Sequence, residues 1–352
     1  MRALLTVFLI LVTSPAHADE WETIYPGGNT ACANGEDYLF HVRRAATDKV
    51  MIFWNGGGAC WNGHMCDPAN SSSDMNSGMI YRTQPTAEYG NDPRTLDGAF
   101  ALNNTENPFR DWSQVFVTYC TGDVHLGARD TSYQKKDGSN ITIRHRGRAN
   151  SEAVLDYVSA NYPELERVIV AGASAGGIAA PFYAAQAASR FPEAEIIHFS
   201  GGSSGYRLPG AQSMLWNTWG VFSDMPDWFD SGSYTASNTR LIDLYFAAGE
   251  AFPAIKFHQY DSAYDGAQTL FMKFMGEAVL LYYPLIENQR EFAAGLPYVR
   301  SYTTPGSFHT VLRFDELYTR KVAGVRAVDW VRDLASGKQV DNVHCGTSSR
   351  CR

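Results

Sequence analysis

The sequence predicts an α/β fold, a mostly parallel sheet with helices on both faces, and three observations carry that expectation. Short apolar runs rich in β-branched and aromatic residues alternate with segments of helical spacing. Most of these runs stop at glycine or at turn-forming residues. One of them passes directly into a small-residue helix through Gly172-Ala173-Ser174-Ala175-Gly176.

In chain order, residues 1–18 (MRALLTVFLILVTSPAHA) combine one basic residue, an apolar run and small residues at Ala16 and Ala18. That pattern is a secretory signal peptide cut after Ala18, since the run is too short to span a bilayer. No later stretch is apolar enough to do so, and residues 19–352 are expected to form one catalytic domain, secreted or periplasmic. Residues 49–55 (KVMIFWN) read as a buried strand running into three glycines. Residues 67–107 are rich in Ser, Asn, Pro, Asp and Gly and read as a long surface excursion.

Further strands are expected at 115–119, 167–171 and 195–199, with helices at 151–160, after a Ser cap, and at 178–189. Residues 207–245 are aromatic and poorly periodic, as in an insertion or cap. Late strands at 255–260 and 298–303 and a last helix at 327–334 complete the pattern.

The chain carries 29 basic and 37 acidic residues, a net charge of −8, with the basic residues scattered. Nothing in this favours a nucleic acid or an anionic membrane surface as partner, and an acidic polymer gains no general attraction. The oligomeric state is not encoded at this level. All six cysteines lie beyond the signal peptide, which favours disulfides. Many pairings are open; short spacing favours Cys60 with Cys66 and Cys345 with Cys351, leaving Cys32 with Cys120. A zinc site is the alternative, but no paired Cys-x-x-Cys knuckles occur.

The chemistry concentrates on Ser174. A serine on a sharp strand-to-helix turn needs small neighbours, and its Oγ then stands at a helix N-terminus where the Ala175 amide can stabilise an oxyanion. Asn55-Gly56-Gly57-Gly58, after an early strand, suits the second part of such a hole, with Gly57 and Gly58 as donors. Taken together, strand, elbow and glycine loop indicate an α/β-hydrolase. Its triad order requires an acid and then a histidine after the serine. His309, in a loop after a strand and a Pro-Gly turn, fits better than His258; His198 reads as a core residue and His344 as part of the tail. The stretch FHQYDSAYD offers Asp261 and Asp265 as the acid, and spacing does not separate them. Trp54 reads as core, and Trp61 as core or as a stacking platform for carbohydrate.

These segments resemble the pectin acetylesterase and Notum family of carboxylesterases. GGGACW is similar to that family's oxyanion loop, VIVAGASAGG to its elbow and VTYCTGD to its YC segment, and Cys60 to Cys66 keeps its spacing. AYDGAQ is similar to the segment carrying the family's catalytic Asp, so the resemblance selects Asp265. It further implies an α/β-hydrolase without a required cofactor that removes acetyl or fatty acyl groups from hydroxyls. Two departures stand out: the family's base His adjoins a cysteine, whereas Phe308 and Thr310 flank His309, and Ser-Gly-Gly follows Phe199 where an acidic residue is expected. Three functions follow: deacetylation of an esterified glycan, a lipid or short-chain esterase if residues 214–229 form an apolar acyl pocket, and a catalytically silent binding protein.

Overall fold

The computed structural model describes residues 20–70, 80–207, 209–277 and 279–352. The expected signal peptide lies outside the described residues. Nine strands form one sheet: β1 (Trp21–Ile24), β2 (Phe40–Arg43), β3 (Lys49–Trp54), β4 (Ser113–Val117), β5 (Arg167–Ala173), β6 (Glu195–Gly201), β7 (Lys256–Ser262), β8 (Val299–Thr304) and β9 (Val343–His344). Their order is β1-β2-β4-β3-β5-β6-β7-β8-β9. The first two pairings, β1 with β2 and β2 with β4, are antiparallel, and all the others are parallel. The result is a large, mostly parallel sheet of the α/β-hydrolase kind.

Alternation along the strands sorts the core into two layers. Val50, Ile52, Trp54, Val168 and Val170 face α1 (Gly147–Asn161) and α2 (Ala175–Arg190). Met51, Phe53, Ile169 and Phe199 belong to the other layer, which the late helix Ala327–Ala335 covers. Both faces are therefore dry, which is why the central strands read as continuous apolar runs.

One expectation needs correction. The excursion at 67–107 is not confined to the surface: Ala99 and Phe100 are buried, and Phe100 packs edge-on against Phe53 and Phe116. Its few apolar residues join the second core layer. The segment at 207–245 holds the helix Pro209–Trp219 and, after a stretch of turns, the start of the helix Asp243–Ala251. A hairpin of Arg129–Gln134 with Asn140–His145, and helices at Asp243–Ala251, Gly266–Phe274 and Tyr282–Gly295, are additions to the expected elements.

All six cysteines pair as spacing favoured: Cys32 with Cys120, Cys60 with Cys66, and Cys345 with Cys351. Cys60 and Cys66 lie beside His145, and Cys345 and Cys351 beside His344, but sulfurs held in disulfides offer no thiolate to a metal.

Several histidines sit neutral inside this frame. Burial lowers His41, His125, His145 and His258 to about 4. Between the ordinary value of 6.5 and about 4, the unfolded chain binds more protons than the folded one, so stability falls as pH falls. Asp123, pushed up to about 6 by burial, acts in the opposite sense. Burial lowers His198 and His344 as well and raises Asp261 and Glu277, so six histidines against three carboxyls predict a melting temperature that drops from pH 7 to pH 4.5, each histidine contributing up to about 1.4 kcal/mol per pH unit. Calorimetry across that range checks it, and a flat or rising profile would contradict it.

Candidate active site

The site assembles at the carboxyl ends of four parallel strands, where open α/β sheets present their ligand crevices. Ser174 follows β5, the glycine loop follows β3, Asp265 follows β7 and His309 follows β8. The elbow is held by steric necessity. Ser174 has φ 55° and ψ −120°, a region that a residue with a side chain seldom occupies. A Cβ on Gly172 would lie 2.2 Å from the Gly176 carbonyl oxygen, and one on Gly176 would lie 2.0 Å from that of Trp54. Helix α2 thus touches β3 backbone to backbone, and Trp54, fully buried, stacks on Tyr183 of that helix with ring centres 4.7 Å apart.

The glycine loop is fixed through its carbonyls. Asn55 O accepts from His125 Nε2 at 2.8 Å, Gly57 O from the Arg82 amide at 2.8 Å, and Gly58 O from the Tyr119 hydroxyl at 2.9 Å. Arg82 Nη1 also donates to Gly56 O. Among the described residues, by contrast, no acceptor is hydrogen-bonded to the amides of Gly57, Gly58 or Ala175. Gly57, Gly58 and Ala175 line the spaces beside Ser174, and theirs are the amides expected to bind an oxyanion. Gly58, at φ 76°, is required: a Cβ there would lie 2.0 Å from Ile80 O.

Of the two aspartates, the structure brings Asp265 to His309. Asp265 is fully buried and caps the helix Gly266–Phe274, its Oδ1 accepting from the amides of Ala267 and Gln268 at 2.9 and 3.1 Å. Its Oδ2 accepts from His309 Nδ1 at 2.7 Å. The tautomer follows from that contact: Nδ1 carries the proton, and Nε2 is left as a base, buried and without a partner among the described residues. Ser174 makes no hydrogen bond to His309 here, although both line one cleft.

Asp261, at the end of β7, accepts from the Ser203 and Ser204 amides at 3.1 and 3.2 Å, and burial pushes its carboxyl up. His258 packs against Tyr298 and Trp330, and His198 against Tyr245 and Phe257, both inside the sheet layers. His344 lies on β9, where its Nδ1 accepts from the Gly346 amide.

Two spaces meet at Ser174. An apolar recess, lined by Trp61, Ile178, Leu215, Trp219 and Phe271 among others, has a volume of about 40 Å³. Trp61 is buried and forms part of this wall. Of the segment 214–229, Leu215 and Trp219 reach the recess; Phe229 packs instead against Phe182 and Phe222. The second space is a cleft of about 630 Å³ lined by the glycine loop, His309 and Arg82, Arg313 and Arg320.

Sequence reasoning missed several supports. Gln268 Nε2 donates to both Asp261 Oδ1 and Asp265 Oδ2, at 3.0 and 3.1 Å, locking the acid's orientation. Gly202, at φ 69°, lets the His309 loop approach, since a Cβ would lie 2.4 Å from His309 O; the glycine pair after Phe199 was its visible signal. No cysteine adjoins His309, and the C-terminal disulfide supports its loop, Gly306 N donating to Cys351 O at 2.8 Å.

Residues 25–223 match the family model described as Pectinacetylesterase. Two structures of the Wnt deacylase Notum from Drosophila, crystal forms I and II, are similar in fold. Each aligns with a TM-score of 0.59 at 15% identity, over 89% of this chain and 92% or 93% of that one. No curated protein sequence matches the chain.

Because two backbones meet at the elbow, Gly176→Ala is expected to destabilise the fold by more than about 2 kcal/mol through overpacking. Gly210→Ala, where a Cβ meets nothing within 4 Å, serves as the control. Thermal unfolding of both variants checks this, and equal melting temperatures would refute it.

Proposed function

The chain belongs to the pectinacetylesterase family, and from that premise we propose that it is a secreted or periplasmic serine esterase that removes short acyl groups, acetyl above all, from a larger alcohol. Its family makes it an esterase or deacylase; the residues and the acyl length are our reading. The observation that carries the reading is the convergence around Ser174 of a strained elbow, a His309 oriented by Asp265, and three amides without a partner among the described residues.

In this mechanism the Ser174 hydroxyl oxygen attacks the acyl carbon while His309 Nε2 takes its proton. Asp265 holds the Nδ1 proton and stabilises the imidazolium. The amides of Gly57, Gly58 and Ala175 receive the negative oxygen, each donor being worth about 3 to 4 kcal/mol of transition-state stabilisation in comparable sites. The imidazolium returns its proton to the departing alcohol. Water, deprotonated by the same nitrogen, then releases the acid and restores Ser174. The Ser174 to His309 hydrogen bond, absent without substrate, is expected to form in the Michaelis complex.

The acyl length follows from volume. Pockets that enclose whole drug-sized ligands run to roughly 300 Å³ or more. The recess, with about 40 Å³ of free room between Trp61, Leu215, Trp219 and Phe271, suits the methyl of an acetyl group better than a long chain. This supports a deacetylase over a lipid esterase, with an acetylated glycan as the substrate class the large cleft accommodates. Export is supported by the signal-peptide pattern and by three disulfides. A single domain over 19–352 is supported by one sheet that runs from Trp21 to His344.

Fluorophosphonate should label Ser174, which would dismiss a silent binding protein, and Ser174→Ala should abolish both labelling and turnover. Asp265→Asn should lower kcat by about 10⁴-fold, the scale for a wrong histidine tautomer. Asp261→Asn should cost far less. Among 4-nitrophenyl esters, kcat/KM should fall steeply from acetate to octanoate. Undiminished turnover in Ser174→Ala overturns the mechanism, and a preference for octanoate overturns the acyl assignment.

A further inference from the structure

Two supports of the glycine loop come from the segment that follows β4, and that segment holds two consecutive residues with side chains in the left-handed region, Val124 at φ 50° and His125 at φ 62°. A β-branched residue is an outlier there, and such strain persists only where the surroundings impose it. Both residues are turned toward the site. The Val124 amide donates to the Tyr119 hydroxyl at 2.8 Å, and that hydroxyl gives its own proton to Gly58 O at 2.9 Å. His125 Nε2 donates to Asn55 O at 2.8 Å, its ring centre 4.6 Å from that of Tyr119. The Val124 side chain also lines the recess beside Ser174.

A carboxylate imposes the strain. Asp123 is fully buried, and its Oδ1 accepts from the Thr121 hydroxyl at 2.6 Å and from the His125 amide at 3.1 Å. Its Oδ2 accepts from the Gly147 amide, at the start of α1, at 2.8 Å. Two glycines make room for the group: a Cβ on Gly127 would lie 2.4 Å from Oδ2, and one on Gly147 would lie 2.4 Å from Oδ1. An aspartate that accepts from the amide two residues on closes a turn, and here the same carboxylate ties that turn to the N-terminus of a helix. From the other side the Tyr183 hydroxyl of α2 donates to His125 O at 2.6 Å. Asp123, Thr121 and His125 line neither of the spaces at Ser174.

We propose that Asp123 is a positioning residue of the oxyanion site: it holds Val124 and His125 in left-handed backbone, and these set the two donors that fix the Gly58 and Asn55 carbonyls. The proposal rests on the esterase reading of Ser174. Asp123 acts through direction and not through contact with substrate. Amides that stabilise an oxyanion must already point at the place where it forms, and a carbonyl that swings carries the next amide with it. Relaxing residues 124 and 125 to ordinary backbone withdraws the Tyr119 and His125 donors together, leaving the carbonyls of the loop to Arg82.

The test is a double-mutant cycle on the hydrolysis of 4-nitrophenyl acetate. Asp123→Asn keeps the shape but sets an N–H donor against a backbone amide; it should lower kcat about 10²-fold, the scale of a small misplacement, with KM changed less than about threefold. Glycine adopts a positive φ freely, so in a Val124→Gly background the same change should cost less than about tenfold. The Ki of methylboronic acid, whose adduct with Ser174 carries a tetrahedral oxyanion, should rise in parallel with the loss of kcat. An equal loss in both backgrounds, or a loss confined to KM, overturns the proposal and leaves the esterase reading intact. Should Asp123→Asn not fold by circular dichroism, Thr121→Val, which removes one donor to the carboxylate, takes its place, with a loss of about tenfold that Val124→Gly again reduces. Amide hydrogen exchange gives a readout without turnover. Asp123→Asn should speed exchange at least about tenfold at Val124 and at Cys60, whose amide donates to Gly122 O at 2.9 Å. If no ester is cleaved yet exchange responds in this way, the esterase reading falls and the role of Asp123 in holding the loop stands; unchanged exchange at both amides overturns that role.

Discussion

The contact on which the site depends is the one between the start of helix α2 and the end of strand β3. Gly176 lies so close to the Trp54 carbonyl that no side chain fits between them, and Gly172 is equally close to Gly176. This pins the turn from strand to helix into one geometry. Ser174, at the apex, pays a backbone cost of about 1 to 3 kcal/mol for its positive φ. The cost is met by the layer beneath it, where Trp54 stacks on Tyr183 and donates from Nε1 to Ser151 Oγ at 3.0 Å. The strain persists because the core around it is fully packed, not because the turn itself favours it.

A second consequence concerns the glycine loop. A Cβ on Gly56 would lie 2.8 Å from that of Ser174, so the loop and the elbow are in mutual contact. The carbonyls of Asn55 to Gly58 are committed to His125, Arg82 and Tyr119. A peptide whose oxygen is held on one side presents its neighbouring amide to the other. Amides fixed in this way need little reorganisation when charge develops, which is the source of their strength in such sites. His125 serves this role as a neutral ring, since burial lowers it to about 4.

Much of this was legible in the sequence because it depends on local constraint. The elbow and the glycine loop must be built from small residues in fixed order, and the buried parallel strands must be apolar on both faces; each leaves a mark that spacing alone exposes. Asp261 and Asp265 did not separate on spacing, because their difference is one of placement: one ends a strand and the other caps a helix. Gln268, which bridges them, reads as an ordinary helical residue. Phe100 stands in a polar stretch, and its burial comes from packing on Phe53 and Phe116 of the sheet, not from any periodicity of its own.

The arginines show why charge was the least legible property of all. Arg82 comes from the irregular segment after β3, while Arg313 and Arg320 come from the stretch between β8 and β9. They are far apart in sequence and scattered among acidic residues, so neither net charge nor charge runs reveal them. They meet because both segments leave the sheet at the carboxyl ends of their strands, as do the serine, the glycine loop, the aspartate and the histidine. The same topology divides the surroundings of Ser174 into an apolar recess and a cationic cleft.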